Sequence, residues 1–301
     1  MIKHLDELVA KARERGRRRI AVAYAQDAHT LEAVNDAYEA GLVEVTLVGD
    51  PAEIEKICKA EHIDHTKFTI IAESSDVKCV ETAVRLISEG KADVLMKGLV
   101  STDKYMRGIL NKEFGLVPPK GVLSHVTVLE IPRYHKLLTV GDVAVIPYPD
   151  LSQKTAILKY LIQTARVLNI ETPKVACIAP SEQLLPNIPS SAEAGLLAKM
   201  GDRRQLGANV LVDGPLALDV AIDPEAAKTK KLVSPVAGDA DCLLFPNIDA
   251  GNVFFKAISK FAGGELAAMV MGAKVPCVLT SRGDSRKTKM YSIALACLSA
   301  K

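Results

Sequence analysis

Near the end of this 301-residue chain, Pro276-Cys277-Val278-Leu279 runs into Thr280-Ser281-Arg282-Gly283-Asp284-Ser285. An apolar run that stops at hydroxyls, a guanidinium and a glycine, with helical periodicity after it, delivers polar groups to the mouth of a sheet. Backbone N–H groups, the positive end of a helix dipole and a guanidinium then converge, a combination that suits phosphate. The same residues also read as an ordinary strand-to-helix turn capped by Asp284. A second corner follows the apolar run ending at Met96. In Lys97-Gly98-Leu99-Val100-Ser101-Thr102 the glycine frees the backbone and the hydroxyls open a helix, with Arg107 a turn and a half into it. It suits a second anion, or is simply an N-cap at Ser101 or Thr102 with a surface arginine. A third polar stretch is Pro246-Asn247-Ile248-Asp249-Ala250-Gly251-Asn252, where Gly251 permits close approach and Asn252 both donates and accepts. It reads equally as a loop capped by Asp249. Asp213-Gly214-Pro215 reads as a turn closing the strand that ends at Val212.

Other chemistries find no foothold. The chain has no G-x-G-x-x-G, Walker A, G-x-S-x-G or H-E-x-x-H sequence. Its six histidines are scattered, so no metal site is expected, and His125 reads as a satisfied, partly buried strand residue. A net charge of +2, 4% aromatics and no Trp argue against nucleic acid and an anionic membrane. The longest apolar runs are too short to span a bilayer, and Met1 to Leu8 is amphipathic rather than a signal peptide. Six cysteines lie far apart without C-x-x-C spacing, which implies reduced core residues and a cytoplasmic setting.

The elements that must position these residues alternate. Ile20–Tyr24, Val43–Val48, Phe68–Ala72 and Ala92–Met96 read as strands. Thr30–Ala40, Ala52–Glu61 and Val77–Ser88 read as helices between them. This order implies right-handed crossovers and a parallel sheet flanked by helices. Val122–Glu130 and Leu137–Ile146 are two extended runs close enough to pair antiparallel. A boundary falls near Pro147, and Ser152–Leu168 begins a second set. In it Val175–Ala179, Val210–Val212, Cys242–Phe245 and Ala267–Val270 read as strands, and Ala192–Met200 and Gly251–Phe261 as helices. A last strand and helix run from Val275 to Leu298. Two α/β domains with mainly parallel sheets and a cleft between them are expected at this length. The first is residues 1–147 with 276–301, the second residues 148–275.

Taken together, the clusters resemble the phosphate acetyl/butyryltransferase family. The block Ser234-Pro-Val-Ala-Gly-Asp-Ala-Asp-Cys-Leu-Leu-Phe-Pro-Asn-Ile-Asp-Ala-Gly-Asn252 is similar to the family's S-P-V-A-G-D-A-n-v-L-v-F-P-d-l-n-A-G-N. Asp213-Gly214-Pro215 resembles its D-G-p segment, Ser281-Arg282-Gly283 its S-R-G, and Ser101-Thr102 with Arg107 its S-T-x-x-x-x-R helix start. These matches run from about residue 90 onward; earlier residues show only compatible patterning. The chain looks like the butyryl branch, and its departures agree. Asp284 stands where acetyl enzymes carry Cys, Thr288 where they carry a proposed catalytic Asp, and Lys260 where they carry Arg.

The resemblance implies acyl-CoA plus inorganic phosphate giving acyl phosphate plus coenzyme A, with butanoyl-CoA favoured and phosphate acetyltransferase as the in-class rival. It implies an isocitrate/isopropylmalate dehydrogenase-like pair of domains, a homodimer, and no cofactor beyond the thioester substrate. Arg282 and Arg107 would grip phosphate, with Ser281 and Thr102 completing the cradle. Gly283 and the start of the last helix would stabilise an oxyanion, and Asp284 would be the base. Lys97, Gly98, Ser101, Asp249, Asn252, Lys260 and Ser285 complete the expected substrate-binding set. Cys277 and Cys242 read as core packing. Phe254-Phe255 would flank the acyl chain or face the core, and Arg286, Lys287 and Lys289 read as a solvated helix face or contacts for coenzyme A. Two readings from other classes are an NAD(P)-dependent decarboxylating dehydrogenase and a non-catalytic ligand-binding relative.

Overall fold

The structure, a computed structural model, describes residues 1–281 and 283–301. It divides into a terminal unit, Leu5–Leu123 with Ala267–Lys301, and a central unit, Met1–His4 with Ser124–Leu266. The terminal unit opens with α1 (Leu5–Glu14), β1 (Arg18–Ala23), α2 (Ala28–Glu39), β2 (Val43–Gly49), α3 (Pro51–Ala60), β3 (Thr69–Ala72), α4 (Asp76–Ser88), β4 (Val94–Lys97) and α5 (Thr102–Leu110). The central unit carries β5 (Ser124–Glu130), β6 (Leu138–Gly141), α6 (Leu151–Val167), β7 (Lys174–Ile178), α7 (Pro189–Asp202), β8 (Leu211–Leu216), α8 (Leu218–Ile222), α9 (Pro224–Thr229), β9 (Cys242–Leu244) and α10 (Ile248–Phe261). The chain ends with β10 (Glu265–Met271), β11 (Cys277–Val278) and α11 (Arg286–Ser299).

In the terminal unit the strands lie in the order β3-β2-β1-β4-β11-β10. All neighbours are parallel except β10 and β11. Every residue of β4 is buried, as expected of a strand covered on both faces. The helices present apolar residues at helical spacing. In α4 these are Val80, Ala83, Val84 and Ile87, and its start is fixed by the Ser75 hydroxyl accepting from the Lys78 N–H. The predicted strand Val275–Leu279 shrinks to β11. Its neighbour β4 ends at Lys97, and the next N–H, that of Gly98, still donates to the Ala23 carbonyl of β1 at 2.9 Å.

In the central unit the order is β5-β6-β9-β7-β8, with β5 and β6 antiparallel as expected and the remaining pairs parallel. The architecture is therefore α/β with mixed strand directions flanked by helices. The capping box of Asp150 and Gln153 starts α6 where the second set was expected. Two details correct the sequence reading. Asp213-Gly214-Pro215 is not a turn but lies inside β8, an outer strand of the unit, where a proline's missing N–H is tolerated. Helix α10 begins at Ile248 with Asn247 as its cap, accepting from the Ala250 N–H at 3.0 Å, so Asp249 and Asn252 are helical rather than in a loop.

Gly98 is fixed by space. A methyl group there would lie 2.2 Å from the Tyr24 carbonyl oxygen and 2.9 Å from that of Ala23. Gly98→Ala should therefore destabilise the protein by at least about 2 kcal/mol, read as a lowered thermal midpoint.

Candidate functional site

The terminal unit gathers most of the predicted residues. Parallel pairing aligns Cys277 with Leu95 and Val278 with Met96, so β4 and β11 end side by side and point the same way. Tyr105, wholly buried on α5, fastens the pair. Its hydroxyl lies 3.2 Å from both the Leu95 and Val278 carbonyl oxygens and donates between them. Beyond the two strand ends stand Lys97, Gly98, Ser101 and Thr102 on one side, and Ser281, Gly283, Asp284 and Ser285 on the other. Helices α5 and α11 start directly after these loops, which places two positive dipole ends at the carboxyl edge of a parallel sheet.

Each loop is stiffened by its own sequence. Leu99 donates its N–H to the Tyr24 carbonyl at 2.8 Å, and Tyr24 itself holds a left-handed conformation (φ 59°) to offer it. Ser101 is the cap of α5 and accepts from the Lys104 N–H. Lys97 is 3% exposed, and its ammonium donates to the carbonyls of Gly98 (3.1 Å) and Val100 (2.9 Å). In the second loop Asp284 is not the helix cap. That role falls to Ser285, whose hydroxyl oxygen accepts from the Thr288 N–H at 3.1 Å. Asp284 instead closes a turn on Ser281: its carboxylate accepts the Ser281 N–H at 2.6 Å, and its own N–H donates to the Ser281 carbonyl at 3.1 Å. Thr288, which replaces the acetyl-branch aspartate, also meets the Ser285 hydroxyl through its side chain at 3.1 Å.

Lys289 is the residue that sequence reasoning missed. Read as part of a solvated face, it is 3% exposed and sits under this loop, donating to the Ser281 carbonyl (3.2 Å) and the Thr280 hydroxyl (3.3 Å). Burial pulls its pKa below the ordinary lysine value, while the carboxylates of Asp27 and Asp284 work the other way. Its position one turn after Ser285, on the α11 face shared with buried Ser292 and Ala296, was the available signal. Arg286 is taken up by Asp36 and Glu32 of α2. Cys277, in β11, is wholly buried, and burial pushes its thiol up to about 12.

Other expected residues stand elsewhere. Arg282 lies outside the described residues. Arg107 is exposed on α5, ion-paired with Asp103 at 3.2 Å, and lines a surface groove with Val77, Val80 and Glu81 of α4. In the central unit, Asn252 donates to the Val143 carbonyl at 2.8 Å, and Asp249 accepts from the Tyr148 hydroxyl at 3.3 Å. Gly251 makes room for the Asp142 carbonyl, which a methyl group would meet at 2.4 Å. Lys260 is exposed two turns beyond Asn252 on the same helix. Phe254 packs against Phe245 with ring centres 5.2 Å apart, the core-facing option of the sequence reading. His125 meets the Thr127 hydroxyl at 3.2 Å.

The family-like block of residues 234–252 holds a charged knot. Asp239 receives His135 (2.9 Å), Lys136 (2.8 Å) and Lys174 (2.7 Å), while Asp241 receives Lys136 (2.6 Å) and the Lys174 N–H (2.9 Å).

The chain matches the family model described as phosphate acetyl/butaryl transferase over residues 4–83 and 72–297, and it belongs to that family. The match reaches into the first ninety residues, where the motifs had been silent. The chain is 44% identical to the phosphate butyryltransferase of Clostridium acetobutylicum, covering 100% of this chain and 99% of that one. It is 39% identical to the phosphate acetyltransferase of Thermotoga maritima over 98% and 99%. The crystal structure of a branched-chain phosphotransacylase from Enterococcus faecalis V583 superposes with a TM-score of 0.82 at 27% identity, covering 94% of this chain and 98% of that one.

The Asp239 knot yields a pH prediction. Burial opposes its charge, but donation from Lys136, Lys174 and His135 outweighs that and holds the carboxyl well below the usual range. A depressed folded pKa stabilises the fold above the unfolded value of about 4, and the contribution is lost as pH falls towards the folded value. Asp239→Asn should therefore melt below wild type near neutral pH, and the gap should close as the solution is acidified below about pH 4. Thermal melts across that range check it.

Proposed function

We propose that this chain is an acyltransferase that converts a short-chain acyl-CoA and inorganic phosphate to acyl phosphate and coenzyme A, with butanoyl-CoA as the preferred thioester. The observation that carries the reading is the shared corner after β4 and β11. Two helix starts, two buried ammonium groups and the Ser281–Asp284 turn are gathered there. Membership of the family and similarity to a phosphate butyryltransferase along the whole chain support the same reading.

In this proposal phosphate binds at the two helix starts, where Ser281, Thr102 and the guanidinium of Arg282 fix one oxygen towards the thioester carbonyl; Arg107, paired with Asp103 on the α4 side of α5, would have to leave that carboxylate to serve as a second cation. Attack forms the phosphate O–C bond and places the carbonyl pair on oxygen. N–H groups at Gly283 and at the start of α11 stabilise that oxyanion. Collapse re-forms the carbonyl and breaks C–S, and the coenzyme A thiolate leaves and takes a proton from solvent. In reverse, Asp284 accepts the thiol proton. It lies at the loop beside Ser281, with one carboxylate oxygen on the Ser281 N–H and, among the described residues, no hydrogen bond to the other. Direct attack in a ternary complex needs no covalent acyl-enzyme and no cofactor. Lys97, Gly98, Ser101 and Ser285 shape the loops. Asp249, Asn252 and Lys260 are the central unit's candidate substrate contacts.

The isocitrate-dehydrogenase-like description of the two α/β units belongs to the same proposal, as does a cytoplasmic setting, supported by six free, buried cysteines. Among the described residues no helix is long and apolar enough to cross a membrane. A homodimer is also proposed; Val253 (69% exposed) and Phe261 (92% exposed) on α10 are apolar side chains that a second copy would cover.

The test is release of free thiol from acetyl-, butanoyl- and longer acyl-CoA with and without phosphate. Wild type should release thiol only with phosphate, fastest with butanoyl-CoA. Arg282→Gln should raise the phosphate KM at least about tenfold. Asp284→Asn should slow acyl transfer to coenzyme A by about a hundredfold or more. Absence of phosphate-dependent release in wild type would overturn the assignment.

A further inference from the structure

We propose that Lys289 is a positioning residue of the phosphate site, holding the Ser281 loop from beneath and supplying the fixed positive charge that lets two neighbouring carboxylates coexist with a bound oxyanion. The inference rests on the acyl transfer reading above. Its starting point is a contrast among buried lysines. Lys136 is in direct contact with Asp239 and Asp241, at 2.8 and 2.6 Å, and Lys154 with Glu193. Lys289 is as buried, yet among the described residues its ammonium contacts two neutral oxygens, the Thr280 hydroxyl and the Ser281 carbonyl. An ammonium removed from water without a carboxylate in contact is costly, and the cost is offset where an anion arrives.

Among the described residues, the charged groups that act on it come from two neighbouring loops. Asp27, at the start of α2, accepts from the Thr30 hydroxyl, and Asp284 accepts from the Ser281 N–H. Both carboxylates act on Lys289 through space, while their own hydrogen bonds point elsewhere. Without the ammonium, the mouth of the loop would present two half-buried negative charges to an incoming phosphate dianion. With it, they are balanced and the Ser281 carbonyl is turned inward onto Nζ, which leaves the Ser281 side chain and the Gly283 N–H for the ligand. Lys289 thus does from below what Lys97 does for the neighbouring loop, where it ties down the Gly98 and Val100 carbonyls.

The experiment is steady-state kinetics of thiol release with inorganic phosphate and butanoyl-CoA varied separately, on wild type, Lys289→Met, Lys289→Arg and Asp27→Asn. Lys289→Met should raise the phosphate KM at least about tenfold while the acyl-CoA KM stays within about twofold. Lys289→Arg, which keeps the charge, should hold the phosphate KM within about threefold of wild type. Asp27→Asn keeps an acceptor for Thr30 and removes one repelling charge, and should lower the phosphate KM about threefold. That gain is one a merely structural lysine would not produce, and it decides the matter if Lys289→Met fails to fold. An unchanged phosphate KM in Lys289→Met, failure of Lys289→Arg to retain phosphate affinity, or an unchanged or raised phosphate KM in Asp27→Asn would each overturn the proposal. Wild type without phosphate-dependent thiol release would instead overturn the assignment of function on which it rests.

Discussion

The parallel pairing of β11 with β4 is the constraint on which the candidate site depends. It spans only two residues of β11, yet it sets the tail of the chain beside a loop from its first third. Hydrogen bonds of so short a ladder would not by themselves hold two loops in register. The Tyr105 hydroxyl, placed between carbonyls of both strands, supplies a cross-tie in a wholly dry environment, where such a bond is stronger than in water. Neighbouring β1 gives β4 a second flank, and the close contact of Gly98 with Tyr24 continues that flank past the end of the strand. The polar loops are therefore positioned by apolar and backbone contacts made below them.

The two loops solve the same problem in the same way. Each leaves a buried strand, caps the next helix with a serine and anchors its carbonyl groups on a buried lysine amine. Carbonyls turned towards ammonium groups cannot face an anion, so what remains on the open side is hydroxyls and N–H groups. This is electrostatic preorganisation by removal of the wrong dipoles as much as by supply of the right ones. The central unit spends its polar residues differently. Asn252 and Asp249 hold α10 against the residue 142–148 loop, and Asp239 and Asp241 join β6, β7 and the start of β9 through Lys136 and Lys174.

Much of this was legible from sequence because its signals are local. Alternation of β-branched runs with helical spacing located the main strands, and the run of residues 122–146 announced its antiparallel pair. The errors were of a different kind. Asp213-Gly214-Pro215 has turn composition but lies in an outer strand, because only the sheet order reveals which strand can spare an N–H. Asp284 has the composition of a cap, yet the next residue took that role and freed the carboxylate for Ser281. Lys289 looked solvated because charge is the first thing read from a lysine, whereas its burial follows from the helix face that α11 shares with α1 and α2. Short helices α8 and α9 left no periodic trace at all. In each case the missing information was which surface a residue meets from distant sequence.

The cysteines carry one last consequence. Burial drives the thiols of Cys177, Cys277 and Cys297 up to about 12 and that of Cys79 to about 11. At neutral pH a thiol with a pKa near 12 is ionised in only about one molecule in a hundred thousand. Acyl thioesters and acyl phosphates are both acylating agents, and Cys277 sits a few residues before Ser281. Locking that sulfur away, protonated and dry, keeps the catalyst from modifying itself with the compounds it handles.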